Sequence, residues 1–365
     1  MNEKRFVVAL FGVFVAVLAG FMALRFIAAL TVSVFLYYST RRYYKGLRRA
    51  RLPARIRAVV VLASLAVPLL LLISYTVVLL AVEARRFVDQ YRLLDVASTN
   101  LEWFGGVERL PEFTIDGIYR AYQAGELEVF IDFAAENAAF LTTLVSTFFL
   151  NVFIIVIVTY YLLVDGARIR SWLLRFDDDA IVREYLEAVD RELEAVLFGN
   201  LLNVIATSLI AIGAFMTYNA IAPAPAEVPY PTLAGALTGV ASLIPVVGMK
   251  IVYIPLTIIT AVRVLVGAEQ SLVVYVAGLL AVAVVVVDTI PDLILRPILS
   301  GERTHVGLLM LAYTLGPVVL GAYGLFFAPI VLVVALTFAD TALPRLLGAD
   351  PDEGLPPDQL RLDDF

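Results

Sequence analysis

The chain has 365 residues, of which 61% are hydrophobic and 16% charged, with a net charge of −6 and a mean hydropathy of +0.90. A soluble domain of this length could not bury so much apolar surface, so the composition predicts an integral membrane protein. With no cysteine and one histidine, the chain lacks residues for disulfides, thiolate nucleophiles and zinc sites, and it has no basic face for nucleic acid. We therefore expect no enzyme activity, no cofactor or metal and no nucleic-acid partner.

The first 57 residues predict an N-terminal helical hairpin and a basic cytoplasmic loop. Residues 6–38 form an apolar run that is too long for one span of about 20 residues and is interrupted by Gly20 and Arg25. Residues 39–57 contain eight basic residues and no acidic residue. Short basic loops stay in the cytoplasm, so this loop fixes the predicted topology, although a patch for lipid headgroups or nucleic acid would have a similar composition.

Residues 58–164 predict two spans that flank a small external segment. Residues 58–82 cross outward, residues 83–139 form the mainly acidic external segment, and residues 140–164 return to the cytoplasm. An amphipathic pattern then predicts a helix at the cytoplasmic interface over residues 165–196. This helix runs into the next span.

Residues 197–339, the predicted transport core, contain two apolar runs with the same unusual interruptions. The first reads LIPVVGMKIVYIP (243–255) and the second LGPVVLGAYGLFFAP (315–329). A proline inside a helix costs about 3 kcal/mol, and a break at membrane depth persists only where protein or a water-filled cavity satisfies the freed backbone groups. We therefore predict two broken-helix hairpins whose tips approach each other near the membrane midplane. The alternative is that each run is a pair of ordinary spans with kinks, which would give the same sequence pattern. The interruptions are Pro245, Gly248, Pro255, Gly316, Pro317, Gly321, Gly324 and Pro329.

The two runs belong to two span-plus-hairpin units, residues 197–262 and 271–339, which are predicted to enter the membrane from opposite sides. Inverted units of this kind are typical of transporters. Residues 289–305 are predicted to be a polar cytoplasmic link, and residues 340–365 an acidic tail without stable structure. The predicted fold is all-α: a polytopic transmembrane helical bundle with two broken-helix hairpins in inverted orientation. It is expected in the cell (inner) membrane with both termini cytoplasmic.

Ionisable residues within these apolar segments are candidates for the transport pathway, because a charge at the bilayer centre costs roughly 2.5 to 3.5 kcal/mol. Lys250 follows the first interruption, where it could bind a cargo oxygen or instead extend to the membrane interface. Asp288 and Asp292 lie at the inner end of the following span. The i, i+4 spacing of Asp292 and Arg296 predicts an ion pair that is either a gate or only structural. The predicted substrate or ion pathway consists of Pro245, Gly248, Lys250, Asp288, Asp292, Arg296, Gly316 and Pro317.

Uncharged polar and small residues are predicted to pack helices together. Asn200 and Asn203 can hydrogen-bond to neighbouring helices or to cargo, and the packing role is favoured. Gly235, Gly239 and Ser242 form a small-residue face. This face predicts close helix contact and carries no chemistry.

Four stretches, in their order along the chain, resemble motifs of the autoinducer-2 exporter family. They are the basic loop, YYLLVDG (160–166), LIPVVGMKIVYIP, and PDLILRPILSG (291–301) followed by the second apolar run. The matching residues are Ile244, Pro245 and Gly248 of the family's Ile-Pro-aromatic-x-Gly pattern, where valine replaces the aromatic residue, and Asp292, Arg296 and Pro297 of its Asp-x-x-x-Arg-Pro element.

The resemblance covers most of residues 1–340 and implies a small-molecule exporter. It also implies a homo-oligomer, with a pentamer as the expected assembly, and an elevator-like motion of the hairpin region. The leading function is export of a small polar solute, such as an autoinducer-2-like signal, by alternating access across the lipid bilayer. Because some members resemble sodium/proton antiporters, exchange of a monovalent cation for protons through Asp288 or Asp292 is an alternative. A membrane scaffold that transports nothing is the alternative from another class.

Overall fold

The fold consists of apolar helices joined by short turns. The computed structural model describes residues 3–65, 68, 123, 135–173, 180–266, 270–299 and 305–347. Within these residues the chain is almost entirely helical and contains no strand. Five of the described helices are long and apolar enough to cross a membrane, or six spans if a bent N-terminal pair counts as one. The predicted all-α polytopic fold is therefore confirmed.

Nine helices of the described residues are labelled in chain order, and residues 54–65 form a further helical stretch. The nine are α1 (Glu3–Arg25), α2 (Ile27–Gly46), α3 (Ala138–Leu173), α4 (Ala180–Asn219), α5 (Pro231–Ala241), α6 (Gly248–Val266), α7 (Val273–Val282), α8 (Val306–Leu320) and α9 (Gly324–Thr337).

The chain divides into two compact units, one formed by Met1–Val59 with Ile154–Phe365 and the other by Val60–Phe153. In the second unit, the described residues belong mainly to the end of the 54–65 helix and to the first half of α3. The predicted external segment, residues 83–139, falls almost entirely outside the described residues, as does the predicted tail from residue 348 onward. All contacts described below lie within the first unit.

α1 and α2 meet at Phe26 with a bend of 80°. Phe26 leaves the helical conformation, with φ −110° and ψ 22°, one residue after Arg25. The chain therefore breaks beside a predicted interruption and the two helices form a bent pair, while the predicted N-terminal hairpin stays a prediction.

α4 is one continuous helix of 40 residues. It joins the predicted interface helix to the following span without a break. Its N-terminal half is tied to α2 by ion pairs, with Asp190 Oδ1 2.6 Å from Arg41 Nη1 and Glu194 Oε2 2.8 Å from Lys45 Nζ. The first part of the predicted basic loop is therefore helical and packs against α4.

Two apolar clusters hold the helices together. One joins α4, α6 and α7 and includes Phe215, Met249 and Leu279. The other joins α2, α4, α8 and α9 and includes Phe35 and Leu197. Many large apolar side chains outside these clusters are exposed, which suits helices surrounded by lipid tails as apolar as leucine.

Two glycines allow α4 and α5 to approach closely. A Cβ atom at Gly235 would collide with Ile212, and one at Gly239 would collide with Ser208. The predicted small-residue face therefore makes the close helix contact expected of it.

The chain leaves helical geometry between α5 and α6 and again between α8 and α9. The first break, residues 242–247, contains Pro245 and Val246, and Val246 has φ 66°. The second, residues 321–323, contains Gly321 with φ 76°. In each pair the two helices pack against one another. Four of the predicted interruptions instead lie inside helices: Pro255, Gly316, Pro317 and Pro329.

α7 continues as two π-helical stretches, Ala283–Thr289 and Pro291–Leu295, and a final turn, Arg296–Leu299. The prediction of a polar cytoplasmic link is wrong for residues 289–299, because the chain there stays helical and buries Asp292 and Arg296. Their charges are compensated by each other and by hydrogen bonds to the backbone. π-helical turns inside α-helices are frequent at functional sites.

Candidate transport site

Asp292 and Arg296 form a buried ion pair on the helix that follows α7. Arg296 Nη2 lies 3.1 Å and Nε 3.2 Å from Asp292 Oδ1. Asp292 is 8% exposed and Arg296 4%. The i, i+4 pair expected from the sequence is therefore formed. Charges buried this deeply are stable only when hydrogen bonds also satisfy their remaining donors and acceptors.

The same pair binds the backbone of the first break at two points. Arg296 Nη2 donates to the Ser242 carbonyl at 2.8 Å, and the Val246 N–H donates to Asp292 Oδ2 at 3.0 Å. These backbone groups flank residues 243–245, where regular helical hydrogen bonding stops. We call Asp292 and Arg296 the clamp, because their side chains replace hydrogen bonds that a continuous helix would supply.

Val246 has a backbone conformation that β-branched residues rarely adopt. Its φ of 66° lies in the left-handed region, which costs an L-residue about 1 to 2 kcal/mol. The hydrogen bond from its N–H to Asp292 helps to fix this conformation. Strained residues persist where the surrounding contacts enforce them, and they cluster at functional sites.

A second buried carboxylate, Asp288, lies one turn before the clamp and is 6% exposed. Its Oδ2 atom accepts hydrogen bonds from Lys250 Nζ at 2.6 Å and from the Tyr253 hydroxyl at 3.0 Å. Lys250 also donates to the Val246 carbonyl. Both polar groups of the Val246 backbone are thus bound by charged side chains. Among the described residues no three acidic or histidine side chains converge on a metal site.

The second break is shaped by close contact between two glycines. A Cβ at Gly316 in α8 would collide with the carbonyl oxygen of Gly324 in α9, and the reverse also holds. Pro317 lies inside α8, and its carbonyl accepts from the Gly321 N–H at 3.0 Å. Tyr313, one turn before Pro317, is buried within the apolar cluster that joins α8 to α2, α4 and α9.

The structure brings together six of the eight residues predicted for the pathway, all at the first break and the helix after α7. They are Pro245, Gly248, Lys250, Asp288, Asp292 and Arg296. Gly316 and Pro317 instead belong to the second break. Sequence reasoning missed Tyr253 and the pairing of Lys250 with Asp288, which are brought together only by folding.

α4 carries a row of buried polar side chains that have unsatisfied atoms. Asn200, Asn203 and Thr207 follow one another at spacings that place them on one face of the helix. Asn200 Nδ2, both amide atoms of Asn203, the Thr207 hydroxyl and the Tyr313 hydroxyl have no hydrogen-bond partner in the described part of the chain. The interhelical hydrogen bonds favoured for Asn203 are therefore absent there. Buried polar groups of this kind call for water or a ligand.

The described apolar helices define a polytopic helical membrane protein, with two breaks within the bundle and buried charges at one of them. The sequence profile of the AI-2E family transporter matches residues 6–343. The chain therefore belongs to the AI-2E transporter family, and it is a membrane transporter. The resemblance seen in its motifs is confirmed.

Two archaeal relatives carry the name "Putative transport protein". The protein from Archaeoglobus fulgidus is 25% identical over 287 residues, which cover 77% of this chain and 78% of the relative. The protein from Methanothermobacter thermautotrophicus is 30% identical over 181 residues, which cover 48% of this chain and 49% of the relative. Both names indicate transport, and neither specifies a cargo.

Proposed function

We propose that this protein exports a small polar solute by alternating access, along a path that opens between the first break and the π-helical stretch. Membership of a transporter family supports transport in general. The observation that carries the proposed path is the clamp, in which two nearly buried opposite charges bind the unwound backbone of the first break.

A purely structural bundle would gain little from the clamp. Replacing a buried ion pair with apolar residues of similar volume is often neutral, or stabilising by about 1 to 4 kcal/mol. Irregular backbone at membrane depth is tolerated where protein encloses it or where it lines a water-filled cavity. Charges that satisfy the break in one state and release it in another therefore suit a gate better than a packing element.

In the proposed cycle, the π-helical stretch moves relative to the first break. This motion frees the Ser242 carbonyl and the Val246 N–H and uncovers the carboxylate and guanidinium of the clamp. A hydroxyl-rich solute can donate hydrogen bonds to the Ser242 carbonyl and the Asp292 carboxylate, and it can accept them from the Val246 N–H and the Arg296 guanidinium. The row of unsatisfied polar groups on α4 would extend this surface, because α4 packs against the same π-helical stretch.

The order of helices supports two related transport units. α4 is followed by the broken pair α5 and α6, and α7 is followed by the broken pair α8 and α9. We place the two units in opposite orientations in the cell membrane, with both termini cytoplasmic. The family resemblance leads us to propose a homo-oligomer, with a pentamer expected. Native mass spectrometry of the detergent-solubilised protein would count the subunits, and a monomer would contradict this assembly.

Efflux of labelled autoinducer-2 from proteoliposomes tests the proposed export. The wild-type protein should release the solute faster than protein-free vesicles do, and Asp292→Asn should slow release at least about tenfold, the effect of losing about 1.4 kcal/mol. Asp340→Asn is a matched control, because Asp340 is an exposed carboxylate in a separate π-helical turn. Solute binding without any flux would contradict export and favour the scaffold.

Exchange of a monovalent cation for protons is a second candidate function, favoured by the environment of Asp288. Its carboxylate is buried, but the side chain of its partner Lys250 is 37% exposed. A proton or a monovalent cation entering from that side could compensate Asp288 when the ammonium moves away. A sodium gradient would then drive a pH change that Asp288→Asn abolishes and Asp340→Asn preserves. Solute efflux without any such pH change would rule out the exchange.

A further inference from the structure

A cavity of about 720 Å³ lies at the ends of α2, α3 and α4 and shares no residue with the clamp or the first break. Its walls come from residues 37–57, 162–171 and 186–190. This volume suits a ligand of small-molecule size. The basic segment and the YYLLVDG motif, which the proposed transport cycle does not use, both contribute to the walls.

Positive charge exceeds negative charge in the cavity wall. Five basic side chains line it, and acidic residues of α4 compensate three of them. The three pairs are Arg41 with Asp190, Lys45 with Glu194 and Arg170 with Glu187. The other two, Arg48 and Arg57, have no acidic partner among the described residues. The cavity is therefore electropositive.

Arg57 is the stronger indication of an anionic ligand. It is 7% exposed, and its Nε and Nη1 atoms have no hydrogen-bond partner in the part of the chain that the structure describes. Its guanidinium lies over the ring of Tyr44, 4.5 Å from the ring centre. Stacking uses the face of the guanidinium and leaves the donors at its edge available. A buried cation whose hydrogen-bond donors have no acceptor is unfavourable unless an anion binds to it.

The YYLLVDG motif contributes to the cavity wall. A Cβ at Gly166 would lie 2.8 Å from the Tyr37 hydroxyl oxygen, so a side chain at this position would displace the end of the Tyr37 side chain. Gly166 and Tyr37 both line the cavity. α2 and α3 therefore approach each other closely at this point of the wall.

We propose that this cavity binds a phosphate-bearing anion, with Arg57 as the principal contact and Arg48 as the second. The planar fork of a guanidinium matches phosphate oxygens in a bidentate arrangement. The phosphate belongs either to an anionic lipid headgroup or to a free phosphate ion. The basic segment is predicted at the cytoplasmic membrane surface, where anionic headgroups are concentrated and where basic pockets between helices bind them.

Thermal unfolding of the full chain in an uncharged detergent tests this site. The protein is titrated separately with short-chain phosphatidylglycerol, short-chain phosphatidylcholine and inorganic phosphate, at an ionic strength held constant with chloride. For whichever probe stabilises the wild-type protein, Arg57→Gln should weaken the apparent affinity at least about tenfold, because a charge-assisted contact is lost. Arg49→Gln removes the same charge from an exposed position outside the cavity and should bind like the wild type.

Each outcome decides the proposal. Stabilisation by phosphatidylglycerol that requires Arg57 identifies a lipid site, and stabilisation by inorganic phosphate that requires Arg57 identifies a site for a soluble anion. The proposal is overturned if Arg57→Gln and Arg49→Gln bind the probe with equal affinity, or if neither phosphatidylglycerol nor inorganic phosphate stabilises the wild-type protein. If Arg57→Gln does not fold, Arg48→Gln takes its place, with an expected loss of about threefold in affinity, and binding equal to that of Arg49→Gln overturns the proposal.

Discussion

Asp292→Asn perturbs the clamp with the smallest change in shape. The substitution removes the carboxylate charge that compensates Arg296, whose side chain is almost fully buried. Breaking one side of a buried ion pair typically costs about 3 to 5 kcal/mol, because the other charge stays buried. The amide oxygen of asparagine can still accept a hydrogen bond from the Val246 N–H, so the loss of stability reports the contribution of the ion pair. We expect the free energy of unfolding to fall by about this amount, against roughly 0.5 kcal/mol or less for Asp340→Asn.

Chemical unfolding in detergent micelles, followed by tryptophan fluorescence, measures this loss. The double variant Asp292→Asn/Arg296→Gln should recover most of the stability, because two neutral polar groups are easier to bury than one uncompensated cation. The coupling between the two sites should exceed about 1 kcal/mol. Additive losses in the double variant would refute the reasoning from the buried pair.

Efflux by the same double variant separates a gate from a structural pair. We expect stability to return without efflux, because the proposed cycle needs both charges to bind the break and then the solute. The proteoliposome assay on the single and double variants provides the comparison. A double variant that recovers both stability and efflux would show that the pair is only structural.

Three further substitutions test the surroundings of the clamp. Val246→Gly relieves a positive φ and should raise the free energy of unfolding by up to about 1 kcal/mol. Val262→Gly in α6 should lower it by about 0.5 kcal/mol in the same unfolding assay. If both variants lost the same free energy of unfolding, the argument from backbone strain at Val246 would fail. Gly316→Ala forces α8 and α9 apart and should lower the free energy of unfolding by about 1 to 3 kcal/mol. Gly278→Ala in α7, where a Cβ meets nothing within 4 Å, should raise it by about 0.5 kcal/mol. Equal free energies of unfolding for the two variants would contradict the close contact. Asn203→Leu removes an unsatisfied amide and should stabilise by about 1 to 2 kcal/mol while slowing efflux, and unchanged efflux would exclude Asn203 from the path.

The sequence predicted features that depend on composition and on local spacing. Apolar runs long enough to span a bilayer predict membrane helices, because the lipid around them requires apolar side chains. The Asp292–Arg296 pair follows from the spacing of residues on one helix turn. The first break was also predictable, because Pro245 interrupts an apolar run and Gly248 follows within one turn. The close approach of α4 and α5 followed from two small residues at a spacing of four.

Other features depend on which segments meet in the folded chain, and local pattern could not supply them. Lys250 and Asp288 are 38 residues apart along the chain, so their ion pair is set by the packing of α6 against the helix after α7. Gly316, Pro317, Gly321 and Gly324 were all predicted to interrupt the second run, and only the fold shows that the break falls at Gly321, because a helix can bend around a proline while a positive φ ends it. Residues 289–299 looked solvated because they contain charges, and the charges are instead compensated within the bundle.

Accessibility of a single cysteine at the first break tests the central claim most directly. The native chain contains no cysteine, so Val247→Cys places one reactive thiol beside the clamp. In oriented proteoliposomes, a membrane-impermeant maleimide added to either side should label this thiol, and labelling should be faster when Asp292→Asn removes the ion pair that stabilises the closed break. Leu209→Cys, on the exposed apolar surface of α4 and outside both breaks, is the control expected to face lipid and should label slowly. Labelling of Val247→Cys as slow as that of Leu209→Cys, or from one side only and unaffected by Asp292→Asn, would contradict a hydrated path at the first break.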